Sequence, residues 1–198
     1  MILRAFVLFL VMVFALAGMF SGNNNVISAE TKPIVEKKMP ELKDWSPSAQ
    51  ELAKQLMIKY GMPGEFTESM LIWRNNGPWK KTILFKDEMQ HNFPFPHTDV
   101  LEQTMFYRVP QEKFNDLSRF NGSITASRTN GTLTVCCMNE NLNILAINLA
   151  YNIIKGTSTA SEARLVFYKN AAEIKNGKIP ENAQHLLFRS EVTSPDPR

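Results

Sequence analysis

Apolar positions in the first half of the chain follow a helical period and then a strand period. Ser46 and Pro47 have the chemistry of an N-cap and a first helical position, and apolar residues then recur every three to four residues until Gly61 ends the helix. Extended runs follow at 69–74 and 79–86. The Asn-Asn-Gly-Pro sequence between them favours a turn, so the two runs predict a β-hairpin.

The next segment is rich in proline. Residues 87–99 contain Phe-Pro-Phe-Pro and predict an extended loop, because proline fits neither a helix interior nor a central strand. A strand is expected over 101–109, and Pro110 then opens a short apolar helix that ends at Asn121.

Asn130 and Gly131 form a dipeptide typical of type I′ turns, and they predict a second hairpin between 123–129 and 132–137. With these two residues as the loop, Ile124 faces Cys137 on an apolar side. This register buries Cys137 and turns its neighbour towards the polar side.

The last predicted elements are two helices. Residues 140–155 are apolar almost all round except for a few asparagines, which predicts a buried central helix ended by Gly156. Thr159 and Glu162 form a capping box that opens the second helix. This order of elements lacks the strand and helix alternation of a doubly wound fold and predicts an α+β domain, with helices packed on an antiparallel sheet.

The N-terminus has the pattern of an export signal. Arg4 precedes an unbroken apolar run that reaches Leu16, and cleavage by a signal peptidase is expected after Ala17 or after Ala29. The run falls short of the roughly 20 residues of a spanning helix, which favours a cleaved signal over an anchor. The sequence thus predicts a periplasmic or secreted protein that contacts a membrane only if this segment stays uncleaved.

The rest of the chain divides by composition. We assign 1–29 to the signal peptide or signal-anchor, 30–44 to a polar linker, 45–177 to a single α+β domain and 178–198 to a C-terminal tail without periodicity. About 170 residues remain after the signal, which is enough for one hydrophobic core.

Charge and cysteine usage exclude several functions. The formal net charge of +3 is spread along the chain, so it does not indicate a nucleic-acid partner. The two cysteines, Cys136 and Cys137, are adjacent and cannot form a disulfide framework. Cys137 is expected in the core, and Cys136 is a candidate surface thiol. The common hydrolase and nucleotide-binding motifs are absent from the sequence.

Candidate metal ligands concentrate around the proline loop, at His91, His97, Asp99 and Glu102. If 92–96 adopts a polyproline II conformation, the two histidines are roughly 19 Å apart, and they would share an ion only if the loop bends back. His97 and Asp99 alternate on an extended segment and face the same side. They predict either a divalent-metal or acid-base site supported by Glu102, or hydrogen bonds that only shape the loop.

A second candidate site lies at the tip of the first hairpin. Trp73, Arg74, Asn76 and Trp79 combine aromatic, cationic and amide groups, which often grip a polar ligand or a partner protein. We expect this tip and the loop from His91 to Asp99 to form the contact surface. The alternative is that the two tryptophans cover the sheet.

The segments Trp-Arg-Asn-Asn-Gly-Pro-Trp-Lys at 73–80 and His-Asn-Phe-Pro-Phe-Pro-His at 91–97 resemble exported bacterial proteins of an uncharacterised family, over about residues 45–168. The resemblance implies a bacterial, exported protein and no particular activity. Together these features predict a domain that binds a small ligand or an envelope protein, without a cofactor, rather than an enzyme. The alternatives are a metal-assisted hydrolase that uses His97 and Asp99, and an envelope assembly or scaffold protein.

Overall fold

The computed structural model describes residue 39 and residues 41–190, and this part of the chain forms a single α+β domain as predicted. The helices are α1 (Pro47–Tyr60), α2 (Phe114–Phe120), α3 (Glu140–Lys155) and α4 (Ala160–Lys175). The strands are β1 (Glu65–Phe66), β2 (Met70–Asn76), β3 (Trp79–His91), β4 (His97–Phe106), β5 (Ile124–Ser127) and β6 (Thr132–Cys137). The predicted signal and residues 191–198 lie outside the described residues. Within residues 41–190, no helix combines the length and apolarity needed to cross a membrane.

The six strands form one antiparallel sheet in the order β1-β2-β3-β4-β6-β5. Leu84, Leu101 and Cys137 are paired across its three central strands, so their side chains share a face. Leu84 and Leu101 pack with α1, and Cys137 packs with α3. The helices therefore cover one face of the sheet.

Local signals set the helix ends as the sequence predicts. The Ser46 hydroxyl accepts a hydrogen bond from the Ala49 amide at the start of α1. The Asn139 side chain caps α3, which ends at Gly156 in the left-handed conformation. The predicted capping box is present at the start of α4.

The prediction of an extended loop over 87–99 was wrong. β3 continues to His91 and β4 begins at His97, so the loop contains only residues 92–96. The outer part of β3 is largely exposed on both faces and carries polar residues, so it lacks the apolar alternation that marks a strand.

The register predicted for the second hairpin was also wrong, by two residues. Ser127 pairs with Thr132, which leaves a loop of four residues, and Ile124 faces Val135 instead of Cys137. A shift of two residues keeps every side chain on its predicted face. Cys137 is therefore buried in the core, and Cys136 lies on the opposite face.

The folded part extends beyond residue 177. Residues 181–183 form a 3-10 turn against α3, and the Phe188 ring stacks on Tyr151 with 4.2 Å between ring centroids. Asn148 of α3 bonds this segment through its amide group. These contacts are made by single side chains at irregular spacing. The sequence of this segment therefore shows no hydrophobic periodicity, although the segment is folded.

Candidate functional site

The β3-β4 hairpin brings the two histidines together. The loop 92–96, which contains a cis Phe93-Pro94 peptide bond, reverses the chain so that His91 pairs with His97. Their ring centroids are 5.0 Å apart, not the roughly 19 Å expected for a straight polyproline II segment. The geometry that the sequence left open, a loop that bends back, is the one present.

Asp99 lies at the centre of the resulting cluster and is 3 % exposed. Its Oδ1 is 3.0 Å from His97 Nε2, and its Oδ2 is 3.1 Å from His91 Nδ1. Oδ2 also accepts a hydrogen bond of 2.8 Å from the Ser123 hydroxyl. Although Oδ1 is close to the imidazole, it accepts no well-aligned hydrogen bond within the described part of the chain.

The surroundings of His97 determine which of its ring nitrogens carries a hydrogen. Nδ1 lies 2.7 Å from the Phe95 carbonyl oxygen, which only accepts, so Nδ1 carries a hydrogen. Nε2 then faces Asp99 Oδ1 and also lies 3.5 Å from Cys137 Sγ. Burial alone would lower the pKa of His97, but the interactions with Asp99 and Phe95 reverse this effect and leave the pKa raised.

This geometry does not match a nucleophile with its general base. The Ser123 hydroxyl also lies 3.3 Å from His91 Nδ1, but its one hydrogen goes to Asp99, so towards His91 it acts as an acceptor. The Cys137 thiol shares the same nitrogen of His97 with Asp99. Both nitrogens of His97 face protein groups, and its side chain is 2 % exposed. The cluster therefore offers ligand atoms more readily than proton transfer to a substrate.

Burial also decides the behaviour of the two thiols. Burial, with the nearby carboxylates of Asp99 and Glu102, raises the pKa of Cys136 to about 12. The pKa of Cys137 is raised in the same direction, mainly because it is buried. Both thiols are therefore protonated and poorly nucleophilic at neutral pH, which disfavours the predicted surface reactivity of Cys136.

A cleft opens beside the cluster, between the β3-β4 hairpin, the start of α3 and the end of α4. Its volume is about 450 Å³, within the range of small-molecule sites. Six of its eleven lining residues are apolar: Phe95, Pro96, Met138, Leu142, Ala171 and Ile174. The polar ones are Gln90, His97, Thr98, Asn139 and Lys175. Lys175 stands at its rim with Nζ 4.8 Å from the centre of the Phe95 ring.

The two tryptophans of the other predicted contact surface are buried, although a cavity of about 550 Å³ at the hairpin tip is lined by Trp73, Arg74 and Asn76. Trp73 and Trp79 are 3 % and 1 % exposed, and their indole nitrogens donate to the Gly61 carbonyl and to Glu140. The buried Asn76 amide donates to Thr82 within the hairpin. The tryptophans thus cover the sheet, which is the alternative that the sequence left open.

Two charged residues named from the sequence lie apart from the cluster. Arg74 is exposed and pairs with Glu65 of β1. Glu102 points to the sheet face opposite Leu101 and lies 3.5 Å from Lys81. It does not support Asp99, because the two residues are three positions apart on one strand and therefore point to opposite faces.

Sequence reasoning missed Ser123, the proximity of Cys137 to the histidines, and Glu140. No motif in the neighbouring sequence indicates a role for Ser123. It lies next to Asp99 only because of the register in which β5 pairs with β6. Glu140 is the first residue of α3, and its Oε1 accepts hydrogen bonds from Tyr60, Trp79 and Gln103. Burial alone would raise the pKa of Glu140, but Lys59, Tyr60 and Trp79 lower it below its usual value. The one feature of the sequence that could have indicated a role for Glu140 is its position in the first turn of a helix, where an acidic side chain is favoured.

Comparison with known proteins gives no relative: no family model, no curated protein and no solved structure matches the chain significantly. The resemblance to exported bacterial proteins stays a prediction.

Proposed function

We propose that this protein binds a small ligand with an apolar body and an acidic group, in the cleft between the β3-β4 hairpin and the helices. The observation that carries the proposal is the lining of the cleft. Six apolar side chains form most of it, and Lys175 supplies a cation at the rim. Such a lining desolvates an apolar body, while the cation favours an anion at one end.

Several features support binding rather than turnover. His97 is the one histidine of the cleft lining; its Nδ1 bonds the Phe95 carbonyl, and its Nε2 faces Asp99 and Cys137. Asn139 uses its side-chain oxygen to cap α3. The polar groups near the cleft therefore shape it, and none is placed as a free general base.

The test uses 1-anilinonaphthalene-8-sulfonate, an aromatic anion with the required chemistry. We expect Lys175→Glu to weaken its binding about fivefold, because repulsion replaces a partly screened attraction worth about 1 kcal/mol. Met138→Glu, which places a charge in the apolar lining, should weaken binding similarly. Fluorescence titration of the full chain measures both.

Lys169→Glu and Met62→Glu are matched controls, since these residues are exposed and lie outside the cleft. Equal binding by all four variants, or the absence of binding by the unmodified protein, would overturn the proposal.

Export is proposed from the N-terminal pattern alone, and the mass of the protein recovered outside the cytoplasm tests it. Cleavage after Ala17 or Ala29 is expected, whereas an intact chain retained inside the cell would contradict it.

A further inference from the structure

We propose that His91, His97, Asp99 and Cys137 bind one zinc ion. The proposal goes beyond the ligand cleft and is independent of what the cleft binds. The ligand atoms of the two histidines and the aspartate all lie within 4.8 Å of one another. Cys137 Sγ lies 3.5 Å from His97 Nε2 but outside this close group of three, so it would have to shift towards the ion to serve as the fourth ligand.

Two of the six distances among the proposed ligand atoms are close to the edges of a zinc tetrahedron. Usual zinc bond lengths give edges of about 3.3 Å between nitrogen and oxygen ligands and about 3.5 Å between nitrogen and sulfur ligands. The observed separations are 3.0 Å from His97 Nε2 to Asp99 Oδ1, and 3.5 Å from the same nitrogen to Cys137 Sγ. A small contraction or expansion of the cluster places an ion at bonding distance from these atoms.

The proton on His97 supplies a second argument. Because Nδ1–H donates to the Phe95 carbonyl, a neutral His97 directs the lone pair of Nε2 at Asp99 Oδ1. Two acceptors facing each other at 3.0 Å require either a proton on Nε2, as in an imidazolium paired with Asp99, or a metal cation between them. A backbone carbonyl that holds the far nitrogen of a histidine is the usual support of a metal ligand.

Asp99 supplies a third argument. Its side chain is almost fully buried, and Oδ1 accepts no aligned hydrogen bond from the described residues. A buried carboxylate oxygen without such a bond needs a nearby positive charge, which either an imidazolium at His97 Nε2, 3.0 Å away, or a bound cation supplies. The Ser123 hydroxyl holds the other oxygen and orients the carboxylate.

Charge and ligand chemistry select the ion. On binding, the ion would displace the proton of the Cys137 thiol. Two neutral imidazoles, one carboxylate and one thiolate then balance a divalent cation, so the buried site carries no net charge. Nitrogen and sulfur ligands favour zinc over magnesium or calcium. Four protein ligands close the coordination shell, which is typical of a structural site and differs from the open site of a hydrolase. The ion would join the base of the 92–96 loop to β6 and so hold one wall of the cleft.

The first measurement is zinc binding to the full chain, purified without a polyhistidine tag and treated with a chelator. One ion per chain is expected. His97→Ala and Asp99→Asn should weaken binding at least 100-fold, and Ser123→Ala about tenfold, the usual effect of losing a group that orients a ligand. His185→Ala and Glu102→Gln are matched controls outside the cluster and should bind as the unmodified protein does.

Cobalt substitution gives a second measurement, in which the spectrum of the unmodified chain is already informative. A tetrahedral site with sulfur should give intense visible bands and a sulfur-to-cobalt charge-transfer band in the near ultraviolet. Cys137→Ser should lose the latter band. Failure of the unmodified chain to bind zinc, equal loss of zinc in His185→Ala, or a weak octahedral cobalt spectrum would each overturn the proposal.

Discussion

At the scale of single residues, Glu140 is the most heavily used polar group among those described. One carboxylate joins the end of α1, the β2-β3 hairpin and the start of α3, because it accepts hydrogen bonds from Lys59, Tyr60 and Trp79. Gln103 of β4 adds a further donor. A charged acceptor with several donors withstands burial that would be unfavourable for it alone.

We predict that Glu140→Gln lowers the free energy of unfolding at pH 7 by about 2 kcal/mol. The amide cannot accept the same set of charge-assisted bonds and turns a donor towards other donors. Urea unfolding measures the change. Glu112→Gln, at an exposed glutamate, is the matched control and should change stability by less than about 0.5 kcal/mol. Equal effects of the two substitutions would contradict this role of Glu140.

At the scale of elements, α3 holds the last described segment through Asn148. The side-chain amide donates to the carbonyls of Asn182 and His185, each at 2.9 Å, and its oxygen accepts from the Leu187 amide. The asparagine thus replaces the regular backbone pairing that residues 184–188 lack.

Asn148→Asp is expected to release this segment. The carboxylate has no hydrogens for the two carbonyls and meets them as another acceptor, with a cost of about 3 kcal/mol. Limited proteolysis should then cut within 184–190 faster than in the unmodified protein. Asn152→Asp adds the same charge one turn further along α3 and serves as the control. Cleavage at the same rate in both variants would contradict the proposed role of Asn148 in holding this segment.

The sequence predicted elements better than it predicted the site. The ends of α1, α3 and α4 followed from Ser46, Gly156 and Thr159, because caps act within a few residues of the backbone they bond. The meeting of His91 and His97 depends on how the proline loop reverses, and the approach of Ser123 depends on a register two residues away from the predicted one. Such contacts are set by pairing across the sheet, which local patterns do not encode.

The burial of the two tryptophans is a second property that local sequence patterns do not determine. An aromatic residue beside a turn suits either a contact surface or a core, and composition does not separate the two. Trp73 and Trp79 are buried, and the Gly61 carbonyl at the end of α1 and the Glu140 carboxylate accept their indole hydrogens. Those acceptors are 12 and 61 residues away in the chain.

At the scale of the whole molecule, the lowered pKa of Glu140 predicts acid sensitivity. A carboxyl group whose pKa is lower in the folded state contributes stability above its unfolded value of about 4.5, and this contribution is lost as the pH falls through the folded value. The stability difference between the unmodified protein and Glu140→Gln should therefore shrink below pH 4.5. Urea unfolding at a series of pH values measures it, and a difference that stays constant down to pH 3 would contradict the assignment.

The two outer strands of the sheet are short: β1 has two residues and β5 has four. A long, flat outer strand would expose a row of backbone amides and carbonyls on which another chain could add its own strand. Here the short outer strands offer an added strand few unpaired backbone amides and carbonyls in a row. At the β1 edge, the ion pair between Glu65 of β1 and Arg74 of β2 also places two charged side chains in its way. The short edges therefore oppose the edge-to-edge stacking from which amyloid-like fibres grow.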